Sequence, residues 1–141
     1  MNKEILPEGY KKLDISQPHI AELGPGYYKR TEDGQLIFAF YVKLQNCNQS
    51  GSVHGGMLMA IADYTLCSTL MEGPRDPVTT VSFHSEFIAP AMVGDLLEIK
   101  ANLSKLGSSL GFSEGNIKVG DKIIMNFGGV IKKMDKKWIK I

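Results

Sequence analysis

A single apolar segment, Met57 to Met71, constrains the fold of this chain more than any other feature. The segment follows a loop rich in Asn, Ser and Gly, and it ends before the helix-terminating run Gly-Pro-Arg-Asp-Pro at residues 73–77. Its apolar residues surround the predicted helix instead of forming one stripe, which is typical of a helix buried on most sides. We therefore expect a sheet on one side of this helix and a second subunit on another.

The residues after this helix predict four strands in succession. Their apolar and polar residues alternate, most clearly over 95–105, and turn residues such as Ala89-Pro90 separate them. The four predicted strands cover 78–88, 95–105, 111–119 and 122–133. Strands that follow one another after a single helix favour an α+β fold, in which an antiparallel sheet wraps around that helix.

The part of the chain before the long helix predicts a hairpin and a short helix. Two strand patterns, over 27–31 and 36–44, flank an Asp-Gly pair, which is a strong hairpin signal. Ser16 is the predicted cap of the short helix that precedes them. The second strand pattern puts four alternate apolar residues on one face: Phe38, Phe40, Val42 and Leu44.

Length, charge and cysteine content narrow the class of protein. The 141 residues fit one domain over residues 1–141, with a short helical extension over roughly 1–25. A net charge of +1 offers no basic excess for nucleic acid, and two cysteines are too few for a disulfide framework or a zinc knuckle. Because the sequence shows no signal peptide and no membrane-spanning stretch, we expect a cytoplasmic protein without nucleic-acid, membrane or metal partners.

Two features of the segment 48–63 are candidates for a catalytic role. Asp63 is the only acid or base between His54 and Glu72, so it places a carboxylate on an otherwise apolar helix. At the helix start, Gly55-Gly56 lets the backbone lie close to a ligand, and the first amides of a helix have no internal partner. Such amides can stabilise a carbonyl oxygen that becomes negative, although glycine pairs are also common in ordinary turns.

Helix geometry separates these two features. Asp63 lies eight residues after Gly55, which is roughly 12 Å along a helix that rises about 1.5 Å per residue. A short Asp side chain cannot span that distance. If both groups act on one substrate, they come from different copies of the chain, which agrees with a helix that is apolar all round. The sequence therefore predicts a site shared by two subunits.

The residues around these features fit the pattern of a known family. The pattern comprises Asn48, Gly51, His54-Gly55-Gly56 and Asp63, followed by Thr79-Thr80-Val81-Ser82 and Phe87-Ile88-Ala89-Pro90. In this combination the chain resembles the hotdog-fold acyl-CoA thioesterases, in the phenylacetate-degradation (PaaI)-type branch of the 4-hydroxybenzoyl-CoA thioesterase superfamily. The resemblance covers roughly residues 35–134, and it depends on the spacings agreeing together, because His-Gly-Gly alone is a weak signal.

The resemblance implies a fold, an assembly and a reaction. The fold is the hotdog fold, an antiparallel β-sheet wrapped around one long central helix. The assembly is a homodimer with a continuous sheet, often paired further into a homotetramer. The reaction is the hydrolysis of acyl-CoA thioesters, in which coenzyme A is part of the substrate and no separate cofactor is needed.

The resemblance also implies the catalytic roles of three residues. The backbone N–H of Gly55 would donate to the thioester carbonyl. Asn48 would stand beside it and either polarise that carbonyl or fix the loop. Asp63 of the other subunit would activate a water molecule as general base, or attack the carbonyl carbon directly.

Four further residues have supporting roles in this interpretation. A strand hydroxyl helps to hold the water in that branch, and here Thr80 aligns best. Ser82 lies two residues further along and so on the same strand face, which makes it the second choice. His54 is expected to shape the turn before the helix instead of transferring a proton, and Gly56 is expected to contribute with it to substrate binding.

Other functions are weighed against this one. A hotdog domain can also be a non-catalytic acyl-CoA sensor, or a dehydratase or hydratase that acts on acyl thioesters. A thioester of acyl carrier protein is an alternative substrate. Cys47 lies beside Asn48 but is not favoured as a nucleophile, because cysteine is more often a small buried residue.

Overall fold

The described residues of the computed structural model, 5–15, 17–73 and 75–138, form a seven-stranded sheet, two α-helices and two short 3₁₀ helices. The strands are β1 (Lys11–Lys12), β2 (Gly26–Arg30), β3 (Leu36–Tyr41), β4 (Val78–Phe87), β5 (Leu96–Leu106), β6 (Leu110–Val119) and β7 (Lys122–Lys133). The α-helices are α1 (Pro18–Ala21) and α2 (Gly55–Ser68), and the 3₁₀ helices cover Leu44–Asn46 and Lys136–Trp138.

Every strand pairs with its neighbours in antiparallel fashion. The order in the sheet is β1-β2-β3-β5-β6-β7-β4, so β4 follows α2 in the chain but lies at the far edge of the sheet. Helix α2 packs against β4, β5, β6 and β7, on one face of the sheet. The predicted α+β architecture, an antiparallel sheet around one long helix, is therefore confirmed.

The boundaries of α2 differ from those predicted because side chains at both ends bond to the backbone. The helix begins at Gly55, two residues earlier than expected, since the His54 ring accepts a hydrogen bond from the Gly56 N–H. It ends at Ser68, earlier than the predicted Met71. There the hydroxyl of Thr69 donates to the carbonyl of Leu66 at 2.8 Å and closes the last turn.

The core lies between α2 and the centre of the sheet. One side of the helix is buried against strand residues that have no exposed surface, among them Ile99, Ile117 and Ile131. Gly129 on β7 lets the helix approach, because a Cβ there would lie 3.0 Å from the Leu66 side chain and 2.1 Å from a backbone oxygen of β4. Each buried aliphatic side chain contributes about 1.5–3 kcal/mol. The helix residues on this side are Leu58, Ile61, Ala62, Thr65 and Leu66.

The opposite side of α2 stays open within one chain. Met59 is 38% exposed, and Gly56 is also exposed. The sheet therefore supplies only part of the burial that the sequence predicts for this helix. None of the helices in the described ranges has the length and apolar character needed to cross a bilayer.

The N-terminal segment covers the other face of the sheet. Tyr10 is buried there with Tyr27 and Ala39, and its hydroxyl donates a hydrogen bond to the carboxylate of Glu98. Burial, followed by this carboxylate, raises the pKa of the Tyr10 phenol far above its usual range. Strand β1, which belongs to this segment, is absent from the sequence prediction because two residues carry no alternation. Ser16, the predicted helix cap, lies outside the described residues.

The predicted strand over 36–44 is too long at its C-terminal end. It stops at Tyr41, and Leu44 begins a 3₁₀ helix in which it is 75% exposed, so Leu44 does not share the buried face of Phe38 and Phe40. The side chain of Asn46 causes the change of direction, since its oxygen accepts from the Lys43 N–H at 2.9 Å. The strands β4 to β7, in contrast, begin and end within one residue of their predicted limits.

Candidate active site

Asp63 of α2 and Thr80 of β4 form the polar centre of the helix–strand contact. The Thr80 hydroxyl donates to Asp63 Oδ1 at 2.5 Å, a short bond of the kind that a charged acceptor makes. Both residues are partly exposed, and no ion pair in the described part of the chain involves Asp63. The second carboxylate oxygen, Oδ2, has no hydrogen-bond donor among the described residues. One oxygen of Asp63 is thus held and the other is available.

Ser82 does not share the face of Thr80, so the sequence prediction on this point is wrong. A β-bulge at Val81 shifts the register, and Thr80 and Ser82 pair with the adjacent residues Ile131 and Val130 of β7. Adjacent residues of a strand point to opposite faces, so Thr80 faces α2 while Ser82 faces away and is exposed. The alternation rule fails here because the bulge inserts one extra residue.

Cys67 joins the Asp63–Thr80 pair, and sequence reasoning missed it. Its Sγ lies 3.3 Å from the Thr80 hydroxyl oxygen. Burial raises the pKa of the Cys67 thiol, and the negative charge of Asp63 raises it further, so both favour the protonated thiol; only a hydrogen bond donated by Thr80 to a thiolate would act in the opposite direction. The available signal was its spacing, because a residue four positions after Asp63 lies on the same helix face.

The start of α2 leaves one amide without an acceptor. The Gly56 N–H donates to His54 Nδ1 at 2.9 Å, and the His54 N–H donates to the Asn46 carbonyl at 2.8 Å. The Gly55 N–H is the first of the helix and has no acceptor within the described chain. It therefore remains available to a carbonyl oxygen from outside the chain, at the positive end of the helix dipole.

Asn48 shapes the loop that leads into the helix. Its side-chain oxygen accepts from the Ser50 N–H at 2.9 Å and from the Ser52 hydroxyl at 3.3 Å. Gly51, with a φ of 77°, completes this turn in the left-handed conformation that favours glycine. The side-chain amide nitrogen of Asn48 makes no bond in the described residues. Asn48 thus fixes the loop with its oxygen and keeps a donor free.

The two glycines of the turn are closely packed within the chain itself. A Cβ on Gly55 would lie 3.1 Å from the ring of Phe87, at the end of β4, and a Cβ on Gly56 would lie 3.0 Å from His54 Nδ1. The Phe87 ring therefore occupies the space that the missing Gly55 side chain leaves. The sequence interpretation included Phe87 in the family pattern but gave it no role at the site. These contacts tie the helix N-terminus to the Phe87 end of β4.

The structure therefore contains two separate groups of candidate site residues. Gly55, Asn48 and His54 lie at the N-terminus of α2, next to Phe87. Asp63 lies two helical turns further along and bonds to Thr80, seven residues before Phe87 on β4. The described residues contain no group of three potential metal-ligating side chains.

Replacing His54 with Asn tests whether this ring caps the helix or transfers protons. We expect His54→Asn to keep kcat within about threefold, because Asn is a good N-cap and restores the bond to the Gly56 N–H. His54→Ala should lower the free energy of unfolding by about 1 kcal/mol. Thermal unfolding and steady-state kinetics on both variants measure these effects. A loss of kcat in His54→Asn by 100-fold or more, the order expected for a general base, would contradict the capping role.

Comparison with known families gives one clear match. The family model described as "Thioesterase superfamily" matches residues 50–124, which include the Gly55 turn, Asp63 and Thr80. The Pseudomonas aeruginosa protein PA0474, which is named as an esterase, is 32% identical to this chain over 127 residues. These residues are 89% of this chain and 95% of that protein. Acyl-coenzyme A thioesterase 13 of Mus musculus is 30% identical over 80 residues, 56% of this chain and 57% of that protein.

Comparison with solved structures shows the same fold. The PaaI protein of the phenylacetic acid degradation operon of E. coli superimposes with a TM-score of 0.76 at 21% sequence identity. The match covers 85% of this chain and 86% of the E. coli chain. At this identity the likeness concerns the fold.

Proposed function

The chain belongs to the thioesterase superfamily, and on that premise we propose that it hydrolyses acyl-CoA thioesters to the free acid and coenzyme A at a site shared by two subunits. The hotdog fold and the PaaI-type resemblance predicted from the sequence are confirmed. The name of the mouse relative, an acyl-coenzyme A thioesterase, supports acyl-CoA as the substrate class. The shared site is supported chiefly by the contacts of α2 with the edge strand β4, where Gly55 packs on Phe87 near one end and Asp63 bonds to Thr80 near the other.

Strand β4 offers the surface through which two copies would pair. Among the described strands it pairs only with β7, so no described strand covers the backbone groups of its other edge. Large apolar side chains lie exposed along it: Val81 is 58%, Phe87 54% and the following Ile88 54% exposed. Pairing of two β4 strands would cover these side chains and join the two sheets into one.

Antiparallel pairing of β4 with a second β4 would bring the two groups of candidate site residues together, the Gly55 group of one subunit with the Asp63 group of the other. Antiparallel strands run in opposite directions, so the Phe87 end of one strand faces the Thr80 end of its partner. Gly55 packs on the Phe87 end and Asp63 bonds to the Thr80 end. A register near Thr80 opposite Phe87 therefore places Gly55 of one subunit beside Asp63 of the other, twice per dimer. Two such dimers would pair into a homotetramer.

In the proposed site the helix N-terminus binds the thioester carbonyl. The Gly55 N–H, which has no acceptor in the described chain, donates to the carbonyl oxygen, and the free amide group of Asn48 donates beside it. Negative charge develops on this oxygen during the reaction, so both bonds strengthen in the transition state. His54 and Gly56 support this step by fixing the first turn of the helix.

Asp63 of the other subunit supplies the proton transfer. Its Oδ2 takes a proton from water as the water oxygen attacks the carbonyl carbon, while Thr80 holds Oδ1. The C–S bond then breaks, and the departing sulfur of coenzyme A receives that proton from Asp63. If Asp63 instead attacks directly, Oδ2 is the attacking atom and forms a mixed anhydride with the acyl group as the C–S bond breaks. Coenzyme A leaves as the thiolate and takes a proton from water, and the hydroxide that remains hydrolyses the anhydride to the acid and restores Asp63. Ser82 has no part in this site, because it faces away from α2.

A thiol-release assay on a panel of acyl-CoAs tests the proposed function. We expect the purified protein to release free coenzyme A from short-chain, medium-chain and aryl acyl-CoAs, and to elute as a dimer or tetramer at micromolar concentration. Tight binding without thiol release would favour a sensor, and addition of water to a 2-enoyl-CoA without thiol release would favour a hydratase. A monomeric protein with full activity would contradict the shared site.

A further inference from the structure

The hydrogen bonds around Thr80 have a definite direction. The Thr80 hydroxyl has a single proton, and the short bond to Asp63 Oδ1 uses it, because a carboxylate can only accept. The contact of 3.3 Å between Thr80 Oγ1 and Cys67 Sγ must then be a bond that the thiol donates. Since burial favours the protonated thiol, Cys67 can make this donation. The three side chains form a chain of donors, from Cys67 through Thr80 to Asp63.

We propose that Cys67 is a positioning residue of the hydrolytic site, which orients the Thr80 hydroxyl so that its proton points at Asp63 Oδ1. The inference rests on the proposed function of Asp63. With the thiol present, the Thr80 hydroxyl has its acceptor position filled and its donor position directed at the carboxylate. Without it, only the bond to Asp63 orients the hydroxyl, so Oδ1 is held less firmly and Oδ2 is less strictly selected as the reacting oxygen.

The position of Cys67 on α2 supports this role. Asp63 and Cys67 are four residues apart and lie on the same helix face, so a single strand residue, Thr80, can contact both. Helix and strand are each well anchored, because Leu66 is fully buried and Ile131, the β7 partner of Thr80, is fully buried. The geometry of the three polar groups is thus set by the packing of the core on which they rest.

A purely structural role predicts different behaviour. If Cys67 only fills space, its replacement changes stability but has no specific link to the hydroxyl of Thr80. If Cys67 acts through that hydroxyl, its effect on kcat disappears once the hydroxyl is removed. A double-mutant cycle between Cys67 and Thr80 separates these cases, because only residues that act on each other show non-additive effects.

The cycle uses Cys67→Ala, Thr80→Val and the double variant, with thiol release from one acyl-CoA as the readout. We expect Cys67→Ala to lower kcat by about two- to tenfold with KM unchanged, the size of one lost hydrogen bond. In the Thr80→Val background we expect the same replacement to change kcat by less than about 1.5-fold. Cys67→Val, which fills the position without a donor, should match Cys67→Ala and serves if the alanine variant is unstable.

Two further variants make the outcome decisive. Ser68→Ala is the matched control, since Ser68 is the next small polar residue of α2 and, among the described residues, its hydroxyl bonds only to the Thr65 carbonyl. We expect its kcat to stay within about twofold of the wild type. Asp63→Asn separates the two proposals: if it keeps full activity, the proposed role of Asp63 in hydrolysis fails, and with it the premise of the positioning role. If Asp63→Asn is inactive but Cys67 and Thr80 act additively, or Cys67→Ala leaves kcat unchanged, only the positioning role is overturned.

Discussion

Asp63→Asn is expected to lower kcat for acyl-CoA hydrolysis by about 10²- to 10⁴-fold, the range that a positioned general base contributes. The amide has nearly the volume of the carboxylate, and its oxygen can still accept the hydrogen bond that Thr80 donates to Oδ1. It cannot take a proton from water. Steady-state thiol release, with KM and kcat determined separately, measures the loss. We expect it to fall on kcat, because the carboxylate acts in the transition state.

A second Asp-to-Asn variant controls for loss of charge and for folding. Asp95 is suitable because its side chain accepts from the Met92 N–H at 2.8 Å and is not part of the hydrogen-bonded group of Asp63, Thr80 and Cys67. Asp95→Asn should keep kcat within about twofold of the wild type. Thermal unfolding of both variants confirms that they fold. Undiminished kcat in a folded Asp63→Asn protein would exclude Asp63 from both the general-base and the nucleophilic role.

Mixed dimers of two inactive variants are expected to recover activity. Gly55→Pro removes the backbone N–H that would bind the carbonyl, while proline is well accepted at the first position of a helix. We expect this variant to lose about 10²- to 10³-fold in kcat, as when one oxyanion donor is removed. In a dimer of Gly55→Pro with Asp63→Asn, one of the two sites has an intact Gly55 amide and an intact Asp63. Such a dimer should show about half the wild-type kcat.

Differently tagged subunits allow the mixed dimer to be isolated and assayed by thiol release. Gly55→Ala is the matched control, because its Cβ meets the Phe87 ring as proline does but the N–H is kept. The kcat ratio of Gly55→Pro to Gly55→Ala therefore reports the amide alone. If the isolated mixed dimer is as inactive as either parent, both groups act within one subunit and the shared site is wrong.

The sequence predicts the regular parts of this fold well. β7 has its predicted limits, and the four strands after α2 fit within one residue, because alternation and turn residues act locally. Gly120, with a φ of 57°, ends β6 at the expected hairpin. The candidate Asp63 on α2 was selected for a similar reason, since a lone carboxylate on an apolar helix is visible in the local sequence. Local chemistry is sufficient for such features.

The features that the sequence could not predict depend on contacts between distant segments. The bulge at Val81 is defined only by the pairing of β4 with β7, so alternation alone placed Ser82 on the wrong face. The donor role of Cys67 depends on β4 lying beside α2. The strands before and after β4 in the chain, β3 and β5, do not pair with it in the sheet. The contact of Phe87 with Gly55 likewise joins residues 32 positions apart.

Because both groups of candidate site residues contact β4, the length of this strand fixes their separation in the enzyme that we propose. The stretch between Thr80 and Phe87 would set how far each carbonyl-binding turn stands from the opposite carboxylate. A residue gained or lost there would lengthen or shorten the stretch between the two groups by about 3.3 Å in each subunit and would reverse the face of every side chain beyond it. Substitutions in the pocket walls would leave this spacing unchanged, whereas an insertion or deletion between Thr80 and Phe87 would alter it.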